Sequence, residues 1–328
     1  MKNSLTANDL FTGIKEKNLT LLSKSITLLE STRTDHQTIA EELIEMCLPL
    51  SGNSIRIGVT GVPGVGKSTF IEAFGNYILN NYQKKIAVLA IDPSSTKSGG
   101  SILGDKTRMN TLSTQSNAFI RPSPSSGNLG GVAKATRESI ILCEAFGFDT
   151  IVIETVGVGQ SETVVNSMTD FFLVLMLANA GDELQGIKRG IMEMADAILI
   201  NKTDVEKESV VNMAKQNYRN ALHLFPSNEN GWKPIVETCS ALNQENIENV
   251  YKIIENFVSL TKSNGSFYSN RQLQSKYWLT ETINNALLNH FYQNPLIKNA
   301  IEEIEKDVIQ NKISPFRAAN LLLKKTSF

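Results

Sequence analysis

Cysteine and histidine are scarce in this chain and nowhere clustered. The three cysteines, Cys47, Cys143 and Cys239, lie far apart, and no two of them form a C-x-x-C pair. The three histidines are equally scattered. Metal sites built from these side chains need ligands at short spacings, so the sequence predicts no such site. Lone cysteines are typical of small buried residues in a reducing compartment, and we expect a cytoplasmic protein.

Net charge and long apolar runs are also lacking. The formal net charge is −1, which excludes a global attraction to nucleic acid or to an anionic membrane. The longest apolar run, residues 171–178, is about a third to a half of a bilayer span. The first residues carry acids, no arginine and no apolar core, unlike a secretory signal or a transit peptide. We expect neither nucleic acid nor a membrane as a partner.

What the chain does have is ordinary globular composition over 328 residues, 41% of them hydrophobic and 20% charged. Apolar residues recur at helical spacing before residue 50, and Thr34 or Asp35 is a plausible cap for the second run. Helical spacing returns after Gly265. The predicted organisation is a helical extension over 1–53, a nucleotide-binding domain over 54–262 and a helical arm over 263–328.

Short apolar runs alternate with helical patterns in the middle of the chain. Most of them are continuously apolar, which is typical of strands buried on both faces of a parallel sheet. The sequence therefore predicts an α/β fold with a mostly parallel central sheet. The predicted strands are residues 55–60, 85–91, 117–121, 150–154, 171–177, 197–201 and 234–239.

A glycine-rich stretch follows the first predicted strand and precedes an amphipathic run, as in a phosphate-binding loop. Glycines let the backbone N–H groups turn toward phosphate, and the next helix adds its positive end. Lys67 is expected to reach the β- and γ-phosphates, and Ser68 is expected to ligate Mg²⁺. The alternative is a plain glycine-rich turn. The predicted phosphate-binding residues are Gly61, Val62, Pro63, Gly64, Val65, Gly66, Lys67, Ser68 and Thr69.

The stretch Asn201-Lys202-x-Asp204 ends a later strand, where open α/β sheets bind ligands. A carboxylate at Asp204 accepts two hydrogen bonds from guanine, whereas adenine offers neither donor. Asn201 either braces the loop or reaches the base, and the stem of Lys202 lies along the base. The backbone of Ser240 and Ala241, after the next strand, is expected to meet guanine O6. The sequence thus predicts GTP and GDP as ligands, with a polar strand-end turn as the alternative.

A carboxylate that handles Mg²⁺ is expected between the two motifs. Three acids stand in suitable places: Asp92 after the second strand, Asp105 in a glycine-rich stretch, and Glu154 at a strand end. Capping of a helix or loop is the alternative role for each. Gln160 follows Glu154 and two glycines, in a segment whose backbone can sense a γ-phosphate.

Five stretches occur in a characteristic order: GVTGVPGVGKST, AIDPSSTKSGGSILGDKTRM, RPSPSSGNLGG, IETVGVGQSE and NKTD. Together they make this chain resemble the MeaB/MMAA/ArgK group of P-loop GTPases. The resemblance is dense over about 55–260 and implies GTP hydrolysis, a helical amino-terminal extension and a carboxy-terminal dimerisation arm. It also implies a role as chaperone of an adenosylcobalamin-dependent acyl-CoA mutase, chiefly methylmalonyl-CoA mutase, in which the GTPase gates cofactor loading and protects the mutase.

The resemblance further identifies residues 179–196 as a third switch, in which Asp182, Gln185 and Lys188 share a face if the segment is helical. Lys188 is cationic, and we expect it to approach the γ-phosphate charge, in cis or across a dimer, as arginine fingers do. The alternative for this segment is a solvated helix start with Asp182 near its cap. Gln160 is displaced from the position of the water-orienting glutamine in Ras-like GTPases. The sequence therefore predicts slow intrinsic hydrolysis with activation by the partner.

Two other functions compete with this interpretation. A metallochaperone-type GTPase for nickel enzymes predicts a Cys/His cluster, which the sequence lacks. An accessory kinase or ATPase of an amino-acid transport system conflicts with the guanine-reading Asp204. The chain also lacks an Asp-x-His-x-x-Gly motif for ligating cobalamin, so we expect that it does not handle the cobalamin itself.

Overall fold

The computed structural model describes residues 5–92, 109–124, 129–155, 161–179, 189–226 and 228–325. The chain divides into two compact units, Met1–Arg271 and Gln272–Phe328. The first unit therefore continues beyond residue 262, the predicted end of the nucleotide-binding domain.

A seven-stranded sheet forms the centre of the first unit, and every strand pair in it is parallel. The strand order is β3-β2-β4-β1-β5-β6-β7, so β1 lies in the middle with β4 and β5 as neighbours. This arrangement confirms the predicted α/β fold with a parallel sheet. The strands are β1 (Ile55–Gly61), β2 (Ile86–Asp92), β3 (Ala118–Pro124), β4 (Thr150–Thr155), β5 (Phe171–Leu177), β6 (Ala197–Asn201) and β7 (Ile235–Thr238).

Helices surround the sheet, and those of the amino-terminal region pack on one another and on α5. Those of the first unit are α1 (Ala7–Lys15), α2 (Leu19–Leu29), α3 (Thr34–Cys47), α4 (Lys67–Tyr82), α5 (Leu129–Phe146), α6 (Ser161–Asn166), α7 (Arg189–Glu193), α8 (Glu208–Leu222) and α9 (Ile247–Ser263). A long helix, α10 (Ser266–Gln293), begins in the first unit and continues into the second, where α11 (Pro295–Ile309) and α12 (Pro315–Leu323) follow.

The core lies between the central strands and the helices that cover them. All residues of β4 and all but the last of β5 are buried, as expected for strands that are covered on both faces. Phe171 on β5 meets Phe257 on α9 edge to face, with ring centroids 5.1 Å apart. Phe70 and Phe74 stack on α4 at 5.5 Å. Burial of these side chains holds α4 and α9 against the sheet.

Three aspartates stand just before strands and bond to a neighbouring strand at the amino-terminal edge of the sheet. Asp149 accepts the backbone N–H of Lys85, and Asp170 accepts that of Arg56, each at 2.8 Å. Asp196 accepts the N–H of Phe172, also at 2.8 Å. Each carboxylate accepts a hydrogen bond from a backbone N–H at the start of the parallel pairing. The adjacent strand provides no carbonyl acceptor for that N–H.

Buried ion pairs reinforce the same edge. Arg56 on β1 and Glu144 on α5 form two hydrogen bonds of 3.0 Å, and the Glu144 side chain is fully buried. Glu144 also accepts from the hydroxyl of Ser54 at 2.7 Å and from the N–H of Gly52 at 2.8 Å. These bonds hold the pKa of Glu144 below its usual value although burial alone raises it. The chain segment that connects α3 with β1 is thus held against α5.

The second unit consists of helices and carries a groove of about 300 Å³ with a mostly apolar lining. The lining residues are Leu287, Leu288, Phe291, Tyr292, Ile301, Ala319, Leu322 and Leu323. Across the described part of the chain, none of the helices combines the length and the apolar character that a membrane span requires.

Candidate functional site

The phosphate-binding pattern lies in the loop between β1 and α4, at the carboxyl edge of the sheet. All three of its glycines have backbone conformations that side chains rarely adopt, with φ of +150° at Gly61, +80° at Gly64 and +95° at Gly66. A Cβ on Gly61 would lie 2.5 Å from the carbonyl oxygen of Leu175, and one on Gly66 would lie 2.8 Å from Nδ2 of Asn201. Both positions require glycine because the loop approaches its neighbours closely.

The other residues of the loop differ in how much of their surface is exposed to solvent. Pro63 and Gly64 are exposed at its tip, Val62 is half-buried, and Val65 is buried in the core. Thr69 is exposed in the first turn of α4. The buried Val65 side chain fixes the loop from below, which leaves the tip open toward solvent.

Lys67 is the first residue of α4, and its side chain lies over the loop. Its Nζ donates to the carbonyl oxygens of Gly61 at 2.8 Å and Val62 at 3.3 Å. Only 8% of the residue is exposed. The ammonium group of Lys67 and the positive end of the α4 dipole therefore both lie at the loop. Together they favour the binding of an anion there.

Ser68 and Glu154 meet beside the loop, where the hydroxyl of Ser68 donates to Oε1 of Glu154 at 3.1 Å. Glu154 is buried near the end of β4, opposite Val59 of β1. The next residue, Thr155, donates to the hydroxyl of Thr60 at 2.8 Å, which ties the ends of the two strands together. A hydroxyl and a carboxylate are the oxygen ligands that Mg²⁺ prefers, so this pair fits that ion.

Of the remaining predicted magnesium-binding and switch residues, the structure describes only Asp92. Asp92 ends β2, next to β4, so its backbone lies at the same edge as Glu154. The predicted residues Asp105, Gln160, Asp182, Gln185 and Lys188 lie outside the described residues. Within the described ranges, no group of three or more histidine, cysteine, aspartate or glutamate side chains could hold a metal ion.

Asn201 connects the phosphate loop with the loop after β7. Its Nδ2 donates to the carbonyl oxygen of Val65 at 2.9 Å, while its Oδ1 accepts from the N–H of Ala241 at 3.0 Å. The thiol of Cys239 donates to the same oxygen at 3.3 Å. Asn201 is buried at the end of β6 and braces the two loops, which was one of the two roles that the sequence left open.

Asp204 is exposed, and the hydroxyl of Ser240 donates to its Oδ1 at 2.5 Å. Ser240 in turn accepts from the N–H of Asn243 at 3.1 Å, so the hydroxyl has a fixed orientation. Cε of Lys202 lies 3.8 Å from the position of a Cβ on Gly66, which places the lysine stem beside the phosphate loop. The two predicted base-reading segments therefore converge on the predicted phosphate site.

Two contributions to the site are not indicated by the sequence: that of Cys239 and that of the Thr60–Thr155 pair. Burial, with a smaller contribution from Asp204, raises the pKa of the Cys239 thiol to about 12, so it remains a protonated donor to Asn201. Neither contact has a local sequence signal, because each joins residues from different strands.

Known proteins are similar to this chain over most of its length. A family model described as methylmalonyl Co-A mutase-associated GTPase MeaB matches residues 22–296. The GTPase ArgK of Escherichia coli K12 is 43% identical over 315 residues, covering 96% of this chain and 95% of that protein. The mitochondrial methylmalonic aciduria type A homolog of Mus musculus is 43% identical over 325 residues, covering 96% of this chain and 78% of that protein.

A solved structure shares the fold. The crystal structure of a protein described as LAO/AO transport system kinase superposes with a TM-score of 0.78 at 36% identity. The match covers 99% of this chain and 98% of that one. The similarity therefore includes the helical regions on both sides of the sheet domain as well as the sheet domain itself.

Proposed function

Because this chain belongs to the MeaB family of methylmalonyl-CoA mutase-associated GTPases, we propose that it is a magnesium-dependent GTPase switch that serves an adenosylcobalamin-dependent acyl-CoA mutase. Methylmalonyl-CoA mutase is the mutase that the family description and the relatives favour. In this proposal GTP binding and hydrolysis gate cofactor loading and protect or reactivate the mutase.

One observation carries the nucleotide part of the proposal: Asn201 bonds to Val65 of the phosphate loop and to Ala241 of the base-reading loop. A single side chain thereby sets the distance between the phosphate-binding and base-binding halves of one site. Asp204 projects from the loop that follows Asn201, and its bond from Ser240 leaves carboxylate lone pairs for the N1–H and 2-amine of guanine. This arrangement favours GTP over ATP.

Mg²⁺ would be held by the hydroxyl of Ser68 with Glu154 beside it, and Asp92 and Asp105 are further proposed carboxylates for this ion. When bound, the ion neutralises charge on the β- and γ-phosphates. Lys67 binds the same phosphates, and the first turn of α4 orients them through its N–H groups. We propose that Gln160 and Lys188 contribute to hydrolysis from the two switch segments.

The second unit supports a homodimer. Its helices expose many large apolar side chains, including Leu288 at 55%, Tyr292 at 55% and Leu296 at 61%, and the apolar groove lies among them. Apolar surface of this extent favours burial against another chain, and we propose a second copy of this protein. The arm over 263–328 is then the dimerisation element.

The test is steady-state GTP hydrolysis by the full-length protein, with and without methylmalonyl-CoA mutase, with MgCl₂ or EDTA, and in competition with ATP. We expect Mg²⁺-dependent hydrolysis that ATP does not inhibit and that the mutase accelerates. Lys67→Ala should abolish nucleotide binding, because this lysine contacts ground-state phosphates. Lys188→Ala should keep GTP affinity and intrinsic hydrolysis but lose most of the stimulation.

Lys207→Ala, which changes an exposed lysine outside the predicted site, is the matched control. Equal inhibition by ATP would overturn the guanine assignment. A mutase that leaves the rate unchanged under all conditions would overturn the partner assignment but not the GTPase. Full stimulation of Lys188→Ala would remove that residue from the mechanism and leave the rest intact.

A further inference from the structure

The loop that carries Asp204 comprises residues 202–207 and connects β6 with α8. Its first residue, Lys202, has a φ of +62°, in the left-handed region that residues with a side chain rarely adopt. Backbone strain of this kind persists only where surrounding contacts hold the chain. The position of Asp204 therefore depends on what fixes the loop on each side.

The segment after β7 holds one side of this loop. The N–H of Thr203 donates to the carbonyl oxygen of Cys239 at 3.3 Å. The hydroxyl of Ser240 donates to the carboxylate of Asp204 at 2.5 Å. Because β6 lies between β5 and β7 in the sheet, these two bonds hold the loop only on its β7 side.

A bond between two side chains holds the loop on its β5 side. Nδ2 of Asn179 donates to Oε1 of Glu206 at 2.6 Å. Asn179 is the second residue after β5 and is exposed, and Glu206 is the second residue after Asp204 and is half-buried. A hydrogen bond to a carboxylate is stronger than one between neutral groups. The loop is thus bonded to the ends of both strands that flank β6.

The strand β5 also lies against the phosphate loop. Gly61, at the start of that loop, is paired with Leu175 of β5, and a Cβ on Gly61 would lie 2.5 Å from the Leu175 carbonyl oxygen. Two residues further along, Leu177 is paired with Asn201 of β6. Asn179 therefore ties the loop of Asp204 to the same strand end against which the phosphate loop is packed.

We propose that Asn179 is a positioning residue for guanine recognition, which it supports by holding Glu206 and, through it, Asp204 at a fixed place beside the phosphate loop. This inference rests on the proposed function, in which Asp204 accepts from the N1–H and the 2-amine of guanine. Such a two-point contact needs both carboxylate oxygens in place. Hypoxanthine has the N1–H but no 2-amine, so a displaced Asp204 should weaken guanine binding more than hypoxanthine binding.

The experiment compares wild type with Asn179→Ala, Asn179→Asp and Glu206→Gln. The measurements are the dissociation constants of GDP, IDP and ADP and the midpoint of thermal unfolding. Asn220→Ala is the matched control, because it removes another exposed asparagine, one that bonds to Gln216 on α8.

For Asn179→Ala we expect GDP affinity to fall about fivefold and IDP affinity to change by less than about twofold. The preference for GDP over IDP should therefore shrink. Asn179→Asp places a second carboxylate opposite Glu206, and the repulsion should reduce this preference further. Glu206→Gln keeps an oxygen that accepts from Asn179 and should retain most of the preference. Because Asn179 is exposed, we expect both of its variants to fold.

The proposal is overturned if both Asn179 variants keep the wild-type ratio of GDP to IDP affinity, whether or not their thermal stability falls. It is also overturned if Asn220→Ala lowers that ratio as much as Asn179→Ala does. Failure of the proposed function has a different signature. In that case the wild-type protein itself binds GDP no more tightly than IDP or ADP.

Discussion

Arg271, at the start of α10, forms a two-point ion pair with Asp170, which stands just before β5. Nε of Arg271 lies 2.7 Å from Oδ1 of Asp170, and a terminal nitrogen lies 2.7 Å from Oδ2. The same guanidinium donates to the carbonyl oxygens of Gly52 and Ser54, each at 2.7 Å. The two side chains are only 13% and 1% exposed. One arginine thereby joins α10 to β5 and to the chain that enters β1.

We predict that Arg271→Ala destabilises the protein by about 3–5 kcal/mol, because it leaves the buried Asp170 carboxylate without its cation. The measurement is the free energy of unfolding from urea denaturation. The control is Arg33→Ala, since Arg33 pairs with Asp35 at 67% and 60% exposure and should leave the free energy of unfolding nearly unchanged. Equal effects of the two substitutions would contradict the buried-pair account.

A second prediction concerns base specificity. Asp204→Asn replaces one acceptor oxygen with a donor amide, while the remaining oxygen still accepts from Ser240. GTP affinity should fall by about 2–4 kcal/mol, and xanthosine triphosphate should bind better than GTP because its 2-oxo group accepts from the new amide. Nucleotide titration of the variant measures both. Asp35→Asn, an exposed aspartate on α3, is the control, and unchanged GTP binding by Asp204→Asn would refute the guanine assignment.

A third prediction is a pH dependence that originates at Asp196. Burial, together with the nearby charge of Asp170, raises the pKa of Asp196 to about 7, and the bond from the Phe172 N–H only partly opposes this. The folded state then holds a proton that the unfolded chain, with a pKa of 3.8, releases earlier. The contribution of this group to stability is present below pH 4 and is lost as pH rises toward 7.

Asp196→Asn keeps an acceptor for Phe172 and removes the titration. We expect its stability relative to wild type to increase by about 1–3 kcal/mol between pH 4 and pH 8. Urea denaturation of both proteins across this range measures the difference. Asp149→Asn, an exposed strand-initial aspartate with the same kind of backbone bond, is the matched control. A pH-independent difference between wild type and Asp196→Asn would contradict the prediction.

A fourth prediction tests the dimer. Leu288→Glu places a charge in the apolar groove of the second unit, where a partner chain would have to bury it. Light scattering at micromolar concentration should show a dimer for wild type and a monomer for the variant. Asn289→Glu adds the same charge at an exposed polar position and should remain dimeric. A monomeric wild-type protein would refute the dimer.

The sheet was largely predictable because each of its buried strands is a short, continuously apolar run in the sequence. The runs at 171–177 and 197–201 match β5 and β6 at both ends, since strands covered on both faces are apolar throughout. The helix start near Thr34 was less accurate. Arg33 is the N-cap and makes no side-chain cap bond, and Asp35 instead bonds to the Arg33 guanidinium, so the predicted cap was wrong. Local competition of this kind is not visible in residue type alone.

The geometry of the candidate site was predictable to the level of motifs but not of contacts. The order of the phosphate loop and the Asn201 motif indicated that they meet, because parallel strands end at one edge. The bond from Asn201 to Val65, and the bond from Asn179 to Glu206, depend on how loops fold over one another. The Arg271 pair joins residues 101 positions apart, and no spacing in the sequence encodes it.

The ion pairs and the predicted nucleotide contacts lie at opposite ends of the same strands. A strand of seven residues such as β5 is about 23 Å long, and effects of substitutions that far apart usually add. Thermal stability can therefore evolve at the amino-terminal edge, by changes at positions such as Asp196, without altering the rate of GTP hydrolysis. A laboratory selecting for a more stable protein can therefore direct substitutions to the amino-terminal edge, provided that the buried Arg271–Asp170 pair is kept.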